Sequence, residues 1–209
     1  MVPVFNHKDE QVAYRVVKAC YDAGLRVFEW TNRGAEAAGM FKLAKKFIDQ
    51  NCPGMVLGVG SIFDGDGVRS FHEMGASFIV SPIIDPDMAR VCKDLNILWI
   101  PGCGTVTEIF MAQKSGAEIV KIFPGDAVGG PAFVKAVLGP MPWSLIMPTG
   151  GVSPQNENLR AWFKAGVCCV GMGSQLFTAE RISNPDPENL ILEIRKTLNI
   201  IQECRISQK

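Results

Sequence analysis

The sequence predicts an α/β protein, a (β/α)8 TIM barrel forming a single compact domain over residues 1–209. Three observations point there. Short apolar runs alternate with longer stretches of helical spacing, the alternation repeats eight times, and the chain is long enough to bury one substantial core while two full domains would each be small. Alternating buried strands and helices imply parallel pairing, because each parallel connection needs a crossover, and eight repeats favour a closed sheet. An open, doubly wound sheet is the alternative architecture.

The apolar runs fall in order at 2–5, 25–30, 55–59, 78–80, 97–100, 119–123, 145–147 and 167–170. Each is too short for a helix and is closed by Gly, Pro, Ser or Asn punctuation. The helical stretches that follow them cover 9–23, 35–50, 67–74, 86–93, 106–114, 131–137, 154–165 and 187–203. Asp85-Pro86 and Ser153-Pro154 read as helix starts, a capping residue ahead of a proline preset for the first turn. The longest connection, around 178–186, separates the last strand from the last helix.

Composition narrows the function. Twenty-one basic residues balance twenty-one acidic ones, and the longest basic run is Lys45-Lys46, so no field draws the chain to nucleic acid or to an anionic membrane. No apolar run approaches the roughly 18–20 residues that span a bilayer, and the start lacks the features of a signal peptide. Seven cysteines, odd in number and without CxxC spacing, fit a reduced, cytoplasmic setting. His7 and His72 are the sole histidines and have no partners at ligand spacing, so no metal is expected. Cys168-Cys169 reads as buried strand, Trp143 and Trp162 as packing, and Met172 as core or pocket wall.

In such a barrel the chemistry sits at the C-terminal ends of the strands. Lys121 lies inside the apolar run Ile119-Val120-Lys121-Ile122-Phe123, where an unpaired ammonium is costly to desolvate. A lysine stem packed on apolar surface with its head in water would explain it structurally, but in a barrel strand the alternate face points inward. A desolvated lysine has a lowered pKa, and its free amine can attack a carbonyl. Glu29 ends the second strand and Arg33 follows four residues later, a carboxylate to move protons and a guanidinium to grip a substrate carboxylate. A structural Glu29–Arg33 ion pair is the competing reading. Thr149-Gly150-Gly151 and Gly171-Met172-Gly173-Ser174 follow the last two strands, where this fold places phosphate, although glycines at such turns also serve the backbone.

Glu29-Trp30-Thr31-Asn32-Arg33, Ser81-Pro82, Lys121-Ile122-Phe123-Pro124 and Pro148-Thr149-Gly150-Gly151, in this order, resemble the 2-keto-3-deoxy-6-phosphogluconate (KDPG) aldolase family with its 4-hydroxy-2-oxoglutarate (KHG) aldolases. The likeness runs from Val2-Pro3-Val4 to Gly173-Ser174. It implies a class I aldolase that cleaves KDPG to pyruvate and glyceraldehyde 3-phosphate, with 4-hydroxy-2-oxoglutarate as a further substrate. Lys121 would be the imine-forming lysine, Glu29 the acid/base and Arg33 the clamp on the pyruvate carboxylate. Thr149 would contact the substrate, Phe123 and Pro82 would line the pocket, and Gly150, Gly151, Gly173 and Ser174 would receive the phosphate. The covalent imine makes a cofactor unnecessary, and the family implies a homotrimer. Ser61 stands where the family usually has threonine, keeping the hydroxyl for carboxylate binding; relatives usually have a helix ahead of the first strand, so this sequence is either truncated there or its barrel floor is covered differently. A phosphate-binding isomerase or epimerase with Glu29 as base, or an inactive metabolite-binding barrel, is the alternative.

Overall fold

A computed structural model describes residues 1–206. The strands are β1 (Val2–Phe5), β2 (Val27–Thr31), β3 (Val56–Gly60), β4 (Phe78–Val80), β5 (Leu98–Ile100), β6 (Gly102–Cys103), β7 (Ile119–Ile122), β8 (Leu145–Pro148) and β9 (Gly171–Met172). The helices are α1 (Glu10–Asp22), α2 (Ala37–Asn51), α3 (Gly65–Glu73), α4 (Pro86–Asp94), α5 (Val106–Lys114), α6 (Gly130–Leu138), α7 (Asn156–Lys164), α8 (Ala179–Ser183) and α9 (Glu188–Ile206). None of these helices is long and apolar enough to cross a membrane.

Every strand pairing is parallel, in a six-stranded sheet ordered β5-β4-β3-β2-β1-β9 and a three-stranded sheet ordered β6-β7-β8. Two links run between the sheets. Only Pro101 separates β5 from β6, and its carbonyl accepts the Lys121 amide at 2.8 Å. On the other side Thr149 forms a parallel bridge with Gly171, and the Cys168 amide donates to Ile146 at 3.0 Å.

Local chemistry explains most boundaries. Asp85 caps α4, its carboxylate accepting the Met88 amide at 2.7 Å ahead of Pro86 in the first turn, as the sequence predicts. Thr105 and Glu108 cap α5 reciprocally: Thr105 Oγ1 accepts the Glu108 amide, and Glu108 Oε2 accepts that of Gly104.

Four expectations need correction. The fifth strand, expected at 97–100, forms as Leu98–Ile100, but beyond Pro101, which has no amide to donate, an unexpected further strand follows at Gly102–Cys103. The eighth moves on to Gly171–Met172, because residue 168 is a bend; Gly171 and Met172 are therefore strand and not loop. Ser153 does not cap α7: the cap position is Gln155, and the Ser153 amide instead donates to the Asn158 side chain at 2.9 Å. The long connection holds the short helix α8, capped by Thr178.

The strands have two apolar faces. Phe28, Trp30, Leu57, Val59, Ile79, Trp99, Val120, Ile122 and Ile146 point outward into one large core shared with the helices. The alternate residues Val2, Phe78, Val80, Ile100 and Met147 form a second cluster, with Val27, Leu98, Ile119 and Cys169 packed against it. Burial of each large side chain in either layer contributes roughly 1.5–3 kcal/mol. The inner layer positions the site, because side chains on a strand repeat every second residue. One step beyond Val27 is Glu29, one step beyond Ile119 is Lys121, and one step beyond Met147 is Thr149.

Candidate active site

Inner-row polar residues sit directly on the apolar floor. Glu29 is 1% exposed and Lys121 6% exposed, so both ionisable groups are out of water. Burial pushes the Glu29 carboxyl above its ordinary range, and the nearby Lys121 and Arg33 charges offset this only in part. Burial likewise pushes the Lys121 amine down, with Glu29 opposing the shift and Arg33 adding to it. Among the described residues Lys121 Nζ has no hydrogen bond or ion pair; its ammonium lies 4.9 Å from the Phe123 ring centroid. Glu29 Oε2 and Thr149 Oγ1 are buried without a hydrogen-bond partner. Each such orphan costs about 1–3 kcal/mol, which substrate or water contacts would recover.

Glycine makes the room. A β-carbon on Gly60 would overlap the Glu29 carboxylate, lying 2.8 Å from its Cδ, so the neighbouring strand must be bare at that point. Gly171 yields space to Thr149 in the same way, since a β-carbon there would lie 3.3 Å from Thr149 Cβ and closer still to Oγ1.

Above this layer lies a cavity of about 310 Å³, whose wall includes Arg33, Phe123, Thr149, Gly150, Gly151, Gly173 and Ser174. Thr31 and Phe123, in that wall, are the next inner-row residues after Glu29 and Lys121, which places the two ionisable groups beneath it. Arg33 is exposed and pairs with no carboxylate among the described residues. Its Nε donates to Ser61 Oγ at 3.2 Å, and its carbonyl accepts from Asn6 Nδ2 at 2.9 Å. The structural Glu29–Arg33 ion pair is thus not formed. Ser61 holds φ at 63°, a left-handed conformation that is uncommon outside glycine.

Gly150 and Gly151 turn the chain with φ of 90° and 69°. The amides of Gly151 and Ser174 donate to no protein acceptor among the described residues, which leaves two N–H groups for an anion. No group of three or more metal-binding side chains is found among the described residues.

Outside the wall lie Ser61, which meets Arg33 instead, and Pro82. The Pro82 backbone packs on Gly102, where a β-carbon would lie 2.9 Å from Pro82 Cα. The wall also contains Asn6, Gln175 and Phe177, which the sequence did not single out. Asn6 follows the first strand and was open to the same strand-end rule; Gln175 and Phe177 offered no local signal. Larger grooves elsewhere, such as one of about 590 Å³ beside Lys93 and Lys114, hold no buried acid–amine pair.

Comparison with known proteins points to one family. The family model for KDPG and KHG aldolase matches residues 1–192. The 2-dehydro-3-deoxy-phosphogluconate aldolase of Haemophilus influenzae is 35% identical over 179 residues, 86% of this chain and 82% of the relative. The KHG/KDPG aldolase of Escherichia coli is 30% identical over 190 residues, 91% of this chain and 86% of its own. The KDPG aldolase of Legionella pneumophila, solved with pyruvate captured as a covalent carbinolamine, superposes with a TM-score of 0.82 at 26% identity. The match covers 95% of this chain and 92% of that one.

Proposed function

The chain belongs to the KDPG and KHG aldolase family, and from that premise we propose that it cleaves 2-keto-3-deoxy-6-phosphogluconate to pyruvate and glyceraldehyde 3-phosphate through an imine on Lys121. 4-Hydroxy-2-oxoglutarate, giving pyruvate and glyoxylate, is its second substrate. The observation that carries the assignment is the buried, unpaired Lys121 amine on the same inner layer as the buried Glu29 carboxyl.

The mechanism follows from those two groups. Neutral Lys121 attacks C2 of the keto acid, and the carbinolamine loses water to give a protonated imine, an electron sink. Glu29 takes the C4 hydroxyl proton, directly or through a water at its unpartnered Oε2. The C3–C4 bond breaks, the aldehyde departs, and its electron pair becomes the enamine of pyruvate. Protonation at C3 and hydrolysis free pyruvate and the lysine. Arg33, steadied by Ser61, holds the substrate carboxylate, and Thr149 and Phe123 shape the space around the reacting carbons. The Gly150-Gly151 and Gly173-Ser174 segments take the phosphate through their amides. The imine supplies the electron sink, so no cofactor is assigned.

The same reading extends to the architecture. The two parallel sheets are halves of one closed (β/α)8 barrel and one domain over residues 1–209. The continuity of β5 into β6 and the Thr149–Gly171 bridge support this. The working form is a cytoplasmic homotrimer. Exposed Phe63, Ile83, Val106 and Phe110 follow β3, β4 and β6, and form an apolar rim suited to subunit contact. The test is borohydride reduction in the presence of pyruvate. A stable adduct on the peptide containing Lys121 is expected, and an adduct elsewhere, or turnover without any adduct, would falsify the assignment.

A further inference from the structure

Residues 167–170 bend at Cys168 where plain strand was expected. In an extended dipeptide, successive side chains leave on opposite faces. The bend instead brings the Cys168 and Cys169 sulfurs together, 3.8 Å apart and hydrogen bonded. These two thiols are half-buried, whereas Cys20, Cys52, Cys92, Cys103 and Cys204 are buried. The pair lies outside the wall of the substrate cavity.

The surroundings favour thiolate at Cys168. Arg205 Nη2 donates to the Cys168 carbonyl at 2.6 Å, which brings its cation close, while the Cys168 thiol donates to the Ile146 carbonyl at 3.3 Å, a bond that metal binding would give up. The hydrogen bond with Cys169 pulls the Cys168 thiol below its ordinary range against the opposing effect of burial, with backbone hydrogen bonds and Arg205 adding to it. The Cys169 thiol is raised in return. Elsewhere burial pushes Cys92 up to about 12, and burial together with the Glu108 charge does the same for Cys103, which keeps both as inert thiols.

We propose that Cys168 and Cys169 form a two-thiolate site for a soft divalent cation of the zinc or cadmium kind. The spacing carries the inference. Two metal–sulfur bonds of about 2.3 Å meeting at a tetrahedral angle hold their sulfurs roughly 3.8 Å apart, the separation already present. A disulfide fits less well. Adjacent α-carbons stand about 3.8 Å apart across a trans peptide, short of the roughly 4.4–6.8 Å that relaxed disulfides span. On binding, each S–H bond breaks, its proton goes to solvent, and each sulfur gives a lone pair to the cation, so no oxidation occurs. No third Cys, His, Asp or Glu completes a cage among the described residues, so water fills the other positions and the ion exchanges readily.

Cadmium chloride titrated into the reduced full chain tests this, with the thiolate-to-cadmium charge-transfer absorbance as readout. One cadmium per chain is expected, with zinc competing for it, and the band is lost in both Cys168→Ser and Cys169→Ser and retained in Cys92→Ser. Far-ultraviolet circular dichroism of each variant confirms the fold. A band that survives in either single variant, or none in the reduced parent, overturns the proposal. So does peroxide treatment that yields a Cys168–Cys169 disulfide in a protein that takes up no cadmium.

Discussion

Lys121 and Ile122 are neighbours on one strand yet belong to different environments. Ile122 is fully buried in the outer core that meets the helices, while Lys121 faces the inner layer above Ile119. The same split separates Phe28 from Glu29 on β2. The outer row is apolar throughout because it only packs. The inner row is apolar below and ionisable above, where the proposed chemistry takes place. Stability should therefore reside mainly in the outer row and activity in the inner one.

Four measurements can break or sharpen that contrast. Lys121→Met should lower turnover on the order of 10⁴-fold or more, while the melting temperature holds or rises, because a desolvated amine is replaced by an apolar chain of similar length. A steep loss of stability in this variant would move Lys121 to the structural side. Phe28→Ala should do the reverse. It should cost about 3–5 kcal/mol in urea unfolding, with the folded fraction keeping near-parental activity.

Gly60→Ala comes next. The new methyl group displaces the Glu29 carboxylate, so kcat should fall about 10²-fold with little change in stability; unchanged kcat would mean that Glu29 can sit elsewhere.

The smallest effect is in pH dependence. Since the Lys121 amine is pushed below its ordinary value of 10.5, its neutral fraction grows as pH rises through that lowered value. Imine formation from pyruvate should thus climb and level off below pH 10.5. The Glu29 carboxylate raises the amine, so Glu29→Gln should shift the acidic limb to lower pH. A limb shifted upward would show that Glu29 does not act on Lys121.

Much of this was legible in the sequence, for reasons that also explain the rest. The strand and helix alternation is a short-range pattern, and a lysine inside an apolar run announces itself by its desolvation cost. The bend at Cys168 was hidden because two cysteines in an apolar run look like strand. The role of Gly60 was hidden because it consists of having no side chain, and becomes visible only when Glu29 on the neighbouring strand is in place. Gln175 and Phe177 join the wall through long-range folding, and Pro82 leaves it because its backbone is taken up by Gly102. The Ser153-Pro154 motif misled because the Asn158 side chain satisfies the Ser153 amide that a cap would otherwise leave free.

The pairing of β1 with β9 sets Val2 against Gly171, residues at opposite ends of the chain's fold. Contacts so distant in sequence carry the largest loop-closure entropy and form late. The Gly173-Ser174 segment reaches its place beside Val4 only through that pairing, so a ribosome-bound chain lacking its last third cannot assemble the anion end of the cavity. The segment that carries Lys121 therefore leaves the ribosome before the segment that closes the cavity above it.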